Sequence, residues 1–207
     1  MSRKLIIAAT VAGMLLADGL FFADTGSLRA EEAVTNTRPL AQIQAVVNDL
    51  IKVVAALPGE KNSIERRKKM REIITPHFDF REMAKRSLGD KWNKVTEAEQ
   101  NEFTNLFSEL LAKTYLNRLD HLGPDVVKFE SERVGSSGAL VHTTVKFKED
   151  TFPLDYKLLL SAGHWRVYDV IIENIGLVQN YRNEFAGIIR KEGFPALIQR
   201  LKDKLKA

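Results

Sequence analysis

The 207-residue sequence contains no cysteine. This absence excludes cysteine nucleophiles, disulfide bonds and a lipid anchor attached to an N-terminal cysteine. The four histidines, His77, His121, His142 and His164, lack the i, i+4 spacing that zinc sites on helices use. The sequence also has no glycine-rich phosphate loop and no Gly-x-Ser-x-Gly elbow. We therefore expect no metal site and no cofactor, and a core built from apolar packing alone.

Long apolar runs are also missing beyond the N-terminus. The uncharged run from Leu5 to Leu16 follows Arg3-Lys4 and is too short to span a bilayer, but it has the length of a secretory signal. Residues 1–30, ending in Ala30, are therefore predicted to be a cleaved signal peptide, the alternative being an uncleaved N-terminal anchor. Residues 31–207 should form one domain, free in the periplasm. Its weakly positive charge does not predict binding to nucleic acid.

Apolar residues at helical spacing dominate the first half of the remaining chain. A helix is predicted to begin near Pro39 and end before Pro58-Gly59. Asp79 should cap a short helix that Gly89 ends, and Thr96 with Glu99 should form a capping box. That box opens the longest helix, whose apolar series reaches Leu122.

The segment from Glu60 to Ile74 is strongly basic, because it contains Arg66-Arg67-Lys68-Lys69 and Arg71. Such a run can contact anionic lipid headgroups. Its thin apolar stripe favours a solvated helix face instead.

From Val127 the apolar period changes to two, which is typical of strands. Three alternating runs and a fourth, from Trp165 to Ile172, are separated by short turn segments. In the fourth run, Trp165, Val167 and Ile171 are expected on one face. With Leu177–Arg190 and a last segment helical again, the pattern predicts an α+β fold in which helices wrap a four-stranded antiparallel meander.

Two interpretations of the apolar faces remain open at this point, since periodicity does not separate a packed core from a hollow one. A carboxylate pair, Asp155 and Asp169, on neighbouring predicted strands could do acid–base chemistry. Paired or solvated strand charges are the simpler interpretation.

From about Phe78 onward the sequence resembles the toluene-tolerance (Mla-type) family of periplasmic phospholipid-binding proteins. The resemblance is carried by Phe78-Asp79-Phe80, Leu88-Gly89 and Trp92, by Phe103, Phe107 and Thr114-Tyr115, and above all by Trp165–Glu173 and Leu177–Phe185. One departure is Glu173-Asn174-Ile175-Gly176-Leu177, where the family usually has Gly second and Ser fourth. Asn can adopt the left-handed conformation that Gly takes, so the fold should survive.

The resemblance implies a cystatin-like or NTF2-like fold with an internal apolar cavity. It also implies a carrier, not an enzyme, that shuttles glycerophospholipid between the outer-membrane complex and the inner-membrane ABC transporter complex. A hopanoid or other polycyclic lipid is the alternative cargo. An NTF2-like isomerase or hydrolase using Asp155, His164 or Asp169 is the alternative of another class, and an interaction adaptor with a filled core is a further one.

The apolar faces of the long helix, the strands and the helix after them give the expected lipid contacts. They are Phe103, Phe107, Leu110, Leu111, Tyr115, Val141, Val145, Leu154, Tyr156, Leu158, Trp165, Val167, Ile171, Leu177 and Tyr181.

Overall fold

The computed structural model describes residues 38–147 and 149–206, so the expected signal peptide lies outside the described residues. Four helices come first: α1 (Pro39–Ala56), α2 (Ser63–Ile74), α3 (Phe80–Leu88) and α4 (Glu97–Tyr115). The strands follow as β1 (Val127–Val134), β2 (Gly138–Phe147), β3 (Asp150–Ser161), β4 (His164–Ile172) and β5 (Ile175–Gly176). Helices α5 (Leu177–Glu192) and α6 (Phe194–Lys206) complete the α+β fold. In the described ranges, no helix is both long and apolar enough to cross a membrane.

The predicted caps of two helices are confirmed. The side chain of Asp79 accepts a hydrogen bond of 2.9 Å from the backbone N–H of Glu82, and Gly89 follows α3 with a φ of 56°. At the start of α4, Thr96 and Glu99 form the reciprocal capping box. These local signals fixed where α3 and α4 begin.

The predicted length of the long helix is wrong at its C-terminal end. The α-helix ends at Tyr115, and residues 116–121 form tighter 3-10 turns. Asp120 in these turns pairs with Arg66 of α2 at 2.8 Å, and Leu119 and Leu122 pack against α1 and α2. The apolar spacing is compatible with either helix type, and the contacts of this segment with α2 are tertiary ones that the local pattern does not contain.

The sheet is an antiparallel meander in the order β1-β2-β3-β4-β5. It has one strand more than the four predicted, because Ile175 and Gly176 fold back and pair with Ile172 and Ile171. The turn that allows this contains Asn174 with a φ of 67°, the left-handed conformation expected of it. A two-residue strand is too short to show a period in the sequence.

A bulge in β4 changes which of its residues share a face. Lys157 pairs with Asp169 and Leu158 pairs with Val167, which leaves Tyr168 as the extra residue. Trp165 and Val167 therefore share the inner face with Val170 and Ile172, not with Ile171. The predicted face was wrong from the bulge onward, since one inserted residue moves every later side chain to the opposite face.

Three apolar clusters hold the described residues together. The largest joins α3, α4, α5 and α6 and contains the fully buried rings of Phe103, Phe107 and Phe185. A second lies between α1 and the inner face of the sheet. A third joins α1 and α2 to residues 116–122 around Met70. All three clusters contribute residues to the wall of a cavity.

Candidate functional site: an apolar cavity

A cavity of about 840 Å³ lies between the inner face of the sheet, α1, the end of α2 and the C-terminal half of α4. Helix α1 contributes Ile43, Val46, Val47 and Leu50, which recur at helical spacing on its buried face. The strands contribute Val145, Leu154, Tyr156, Val170 and Ile172. Because the side chains from both layers are mostly apolar, the cavity suits an apolar ligand.

Six of the residues that were expected to contact lipid line this cavity: Leu111, Tyr115, Val145, Leu154, Tyr156 and Leu177. They come from α4, β2, β3 and α5, so the fold brings together residues far apart in the chain. Contact of these residues with a lipid stays a prediction.

The other nine expected residues do not line the cavity. Phe103, Phe107, Leu110 and Tyr181 pack inside the helical cluster, and Val141, Leu158, Trp165 and Val167 pack inside the cluster between α1 and the sheet. Ile171 lies outside the lining because of the bulge in β4. An apolar position on the correct face is therefore not enough to reach the cavity, because part of each face is used for close packing.

The expected list omitted the contribution of α1 and of residues 116–122. Leu116, Leu119 and Leu122 line the cavity, as does Ile74 at the end of α2. The apolar stripe of α1 was visible in the sequence, but nothing local shows that it packs over the sheet as well as against α2. Only the tertiary arrangement supplies that information.

Polar groups of the lining are mostly exposed and mark the rim of the cavity. Arg71 of α2 and Glu109 of α4 form an ion pair of 2.6 Å, with about half of each side chain exposed. The guanidinium of Arg118 lies over the ring of Tyr115 at 5.6 Å. The rim also contains the exposed carboxylates of Asp150 and Glu173. Charged groups are thus available at the rim for a polar headgroup.

Two polar side chains lie further inside the lining. Burial lowers the pKa of His77, so its imidazole is neutral at pH 7. Burial raises the pKa of Tyr156, whose hydroxyl has no hydrogen-bond partner among the described residues. These two polar side chains therefore add no charge to the wall at pH 7.

A buried ion pair connects the two helices that cover the cavity to the segment after α4. Arg66 is 4% exposed and donates to Asp120 at 2.8 Å and to the carbonyl oxygens of Leu57 and Gly59. The hydrogen bond from Arg66 holds the pKa of Asp120 below its usual range. This arrangement fixes α2 against residues 116–121 at the edge of the cavity.

The residues considered for acid–base chemistry lie elsewhere. Asp155 is 3.1 Å from the ring of His142, and Asp169 accepts a 3.0 Å hydrogen bond from the backbone of Val178 at the start of α5. His164 is exposed at the start of β4. Asp169 thus caps α5, because Gly176 at the N-cap position has no side chain to do so. None of the three candidates, Asp155, Asp169 and His164, lines the cavity.

Comparison with known proteins agrees with this geometry. The family model described as MlaC protein matches residues 44–203. The chain belongs to the MlaC family. The intermembrane phospholipid transport system binding protein MlaC of Haemophilus influenzae is 23% identical over 193 residues, covering 88% of this chain and 89% of that protein.

A solved structure is also similar. It is that of a phospholipid-binding protein from Ralstonia solanacearum in complex with a phospholipid. The two chains are 25% identical, with a TM-score of 0.73 over 82% of this chain and 98% of the other. The fold of this MlaC-family chain, an antiparallel sheet wrapped by helices, is therefore shared with a protein whose structure contains a phospholipid.

Proposed function

We propose that this MlaC-family chain is a periplasmic carrier that holds the acyl chains of a glycerophospholipid in its cavity. The observation that carries the proposal is the size of the cavity together with its apolar wall. Two acyl chains contain about 30 methylene groups, each of roughly the volume of a water molecule, so they need on the order of 900 Å³. The cavity of about 840 Å³ is of the same order.

The energetics explain why such a carrier is needed. Exposing about 30 methylene groups to water costs on the order of 20 kcal/mol, so free diffusion across an aqueous gap is negligible. An apolar cavity removes that cost without any covalent chemistry. The headgroup stays at the charged rim near Arg118 and Glu173.

The proposed partners are the outer-membrane lipid complex and the inner-membrane ABC transporter complex of the same transport system. This part of the proposal is supported by the similarity to the Haemophilus relative, an intermembrane phospholipid transport system binding protein. It requires export, which residues 1–30 would direct as a cleaved signal peptide. We propose no catalytic role.

Organic extraction of the purified protein followed by mass spectrometry tests the proposal. We expect roughly one glycerophospholipid per chain, and uptake of lipid by stripped protein mixed with vesicles. A hopanoid or another polycyclic lipid in the extract would show that the cargo is that lipid and not a glycerophospholipid. Lipid-free protein that takes up nothing from vesicles would contradict the carrier.

Photo-crosslinking locates the cargo. A photoreactive side chain at Leu154 or Val170, which line the cavity, should capture lipid. The same group at Lys157, on the opposite face of β3 from Leu154 and Tyr156, serves as the matched control. Equal labelling at these three positions would show that the lipid does not occupy this cavity.

A further inference from the structure

The outward face of α2 carries an unusually exposed apolar side chain. Ile64 is 82% exposed, and the next most exposed large apolar side chain among the described residues is Ile175 at 63%. An isoleucine so exposed contributes nothing to the core. It is available for contact with something outside the chain.

Unpaired cations flank Ile64. Lys61 and Lys68 are exposed and have no ionic partner among the described residues, and they stand three residues before and four residues after Ile64. By contrast, Arg66 and Arg67 contact Asp120, and Lys69 contacts Glu65 at 3.9 Å. Lys61 and Lys68 are thus the two cations next to Ile64 that form no ion pair with the described residues.

This face leads directly to the cavity. Ile64, Lys68, Arg71 and Thr75 follow one another at i, i+4, i+7 and i+11, so they form one stripe along the helix. Arg71 and Thr75 line the cavity, and the rise from Ile64 to Arg71 is about 10 Å at 1.5 Å per residue. We call these four residues the α2 stripe.

We propose that the α2 stripe, together with Lys61, docks the protein on an anionic membrane surface, with Ile64 entering the headgroup region and the lysines contacting lipid phosphates. The stripe then places the rim of the cavity beside the bilayer from which a lipid is loaded or into which it is released. This inference adds a membrane contact to the proposed carrier and is tested independently of its cargo.

A membrane fits this surface better than a protein does. A stable protein interface has a contiguous apolar centre from which charged residues are depleted. Here a single exposed apolar side chain stands between two lysines, so the surface offers cations to an anionic bilayer and one apolar side chain to its headgroup region. Arg71 and Thr75 continue the same face to the lipid-sized cavity, so a bilayer contacted by Ile64 and Lys68 lies next to the rim of the cavity.

Vesicle co-sedimentation tests the proposal directly. The purified protein is mixed with vesicles of phosphatidylcholine alone or of phosphatidylcholine with phosphatidylglycerol. We expect binding to the mixed vesicles, and this binding should weaken with added salt because the lysine contacts are screened. Ile64→Ser and Lys68→Glu should each weaken it roughly fivefold or more.

Two variants elsewhere serve as controls. Val134→Ser changes another exposed apolar side chain, which is 53% exposed on β1, and Lys204→Glu reverses an exposed lysine of α6. Neither residue lines the cavity, and both variants should bind mixed vesicles within roughly twofold of the unsubstituted protein.

The outcomes separate this inference from the carrier proposal. Absence of binding to mixed vesicles, or equal losses in the stripe and control variants, would overturn membrane docking. Loss of lipid transfer in Ile64→Ser without any vesicle binding by the unsubstituted protein would also overturn it and would indicate an acidic protein partner. If the protein binds vesicles but its organic extract contains no lipid and it takes up none, the docking surface would be supported and the carrier proposal contradicted.

Discussion

The helical cluster and the sheet side of this protein use similar apolar residues with opposite results. The ring of Phe185 meets the rings of Phe103 and Phe107 edge to face at centroid distances of 5.5 Å, and all three side chains are fully buried. Between the sheet and α1, Leu154, Val170 and their neighbours line a cavity of about 840 Å³. Helices packed on helices interlock their side chains, whereas the side chains of the sheet, α1 and the end of α4 enclose space. An apolar pattern thus predicts burial, and the tertiary arrangement decides whether burial means packing or enclosure.

The largest expected effect contrasts two phenylalanines. Phe103→Ala, in the packed cluster, should lower the free energy of unfolding by about 3–5 kcal/mol, because it leaves a void that neighbours cannot fill. Phe152→Ala, at the half-buried cavity wall, should cost below about 2 kcal/mol, because the cavity is already there. Urea denaturation measures both, and similar costs would show that the two regions are packed alike.

A second pair uses one substitution at two valines. Val167→Gln should lower the free energy of unfolding by about 2–4 kcal/mol. Val167 is fully buried, so the side-chain amide of the glutamine would lack hydrogen-bond partners and space. Val145→Gln should cost about 1 kcal/mol or less, because Val145 is half-buried and lines the cavity, where an amide has room. Lipid content per folded molecule should fall in the Val145 variant only. Reduced lipid with normal stability in the Val167 variant would indicate that the cargo extends beyond the residues that line the cavity.

The ion pair at the edge of the cavity predicts a pH dependence. The folded-state pKa of Asp120 is below its unfolded value, so its contribution is present above the unfolded pKa and is lost as the pH falls through the folded one. Asp120→Asn should lower stability at pH 7 by about 1–3 kcal/mol and make the decline below about pH 4 shallower. Thermal melts between pH 2 and pH 7, recorded at steps of about one pH unit, measure this pH dependence of stability.

Glu109→Gln is the matched control for that ion pair. It breaks a pair of 2.6 Å whose two side chains are about half exposed, so it should cost below about 1 kcal/mol. An equal or larger loss than in Asp120→Asn would mean that the rim, not the buried pair, fixes α2 in place.

The smallest expected effect concerns two tyrosines. Tyr156→Phe should change the stability of lipid-free protein by less than about 0.5 kcal/mol, because its hydroxyl has no partner in the described part of the chain. Tyr181→Phe should cost about 1 kcal/mol, because its hydroxyl interacts with Thr114 and Tyr115. A clear loss in Tyr156→Phe, seen by differential scanning calorimetry, would reveal a structural role for the hydroxyl in the cavity wall.

The candidate site was only partly predictable, and particular residues show why. Leu154 and Tyr156 were expected at the cavity because strict alternation along β3 kept them on the inner face. Ile171 was expected there as well, but the bulge at Tyr168 moved it away. Phe103 and Phe107 lie on the apolar face of α4, but at positions that α5 and α6 cover completely.

The sequence by itself determined the α+β class, the caps at Asp79 and Thr96, the antiparallel strands and the family, because these depend on local spacing and on motifs such as Trp165–Glu173. Only the tertiary structure decided the bulge in β4, the fifth strand, the 3-10 turns after Tyr115 and the position of α1 across the sheet. Those features depend on contacts between residues distant in the chain, such as Arg66 with Asp120. The cavity belongs to this second group, since its wall combines residues of α1, α4, the strands and α5 that are distant in the chain, and no single segment encodes how they come together.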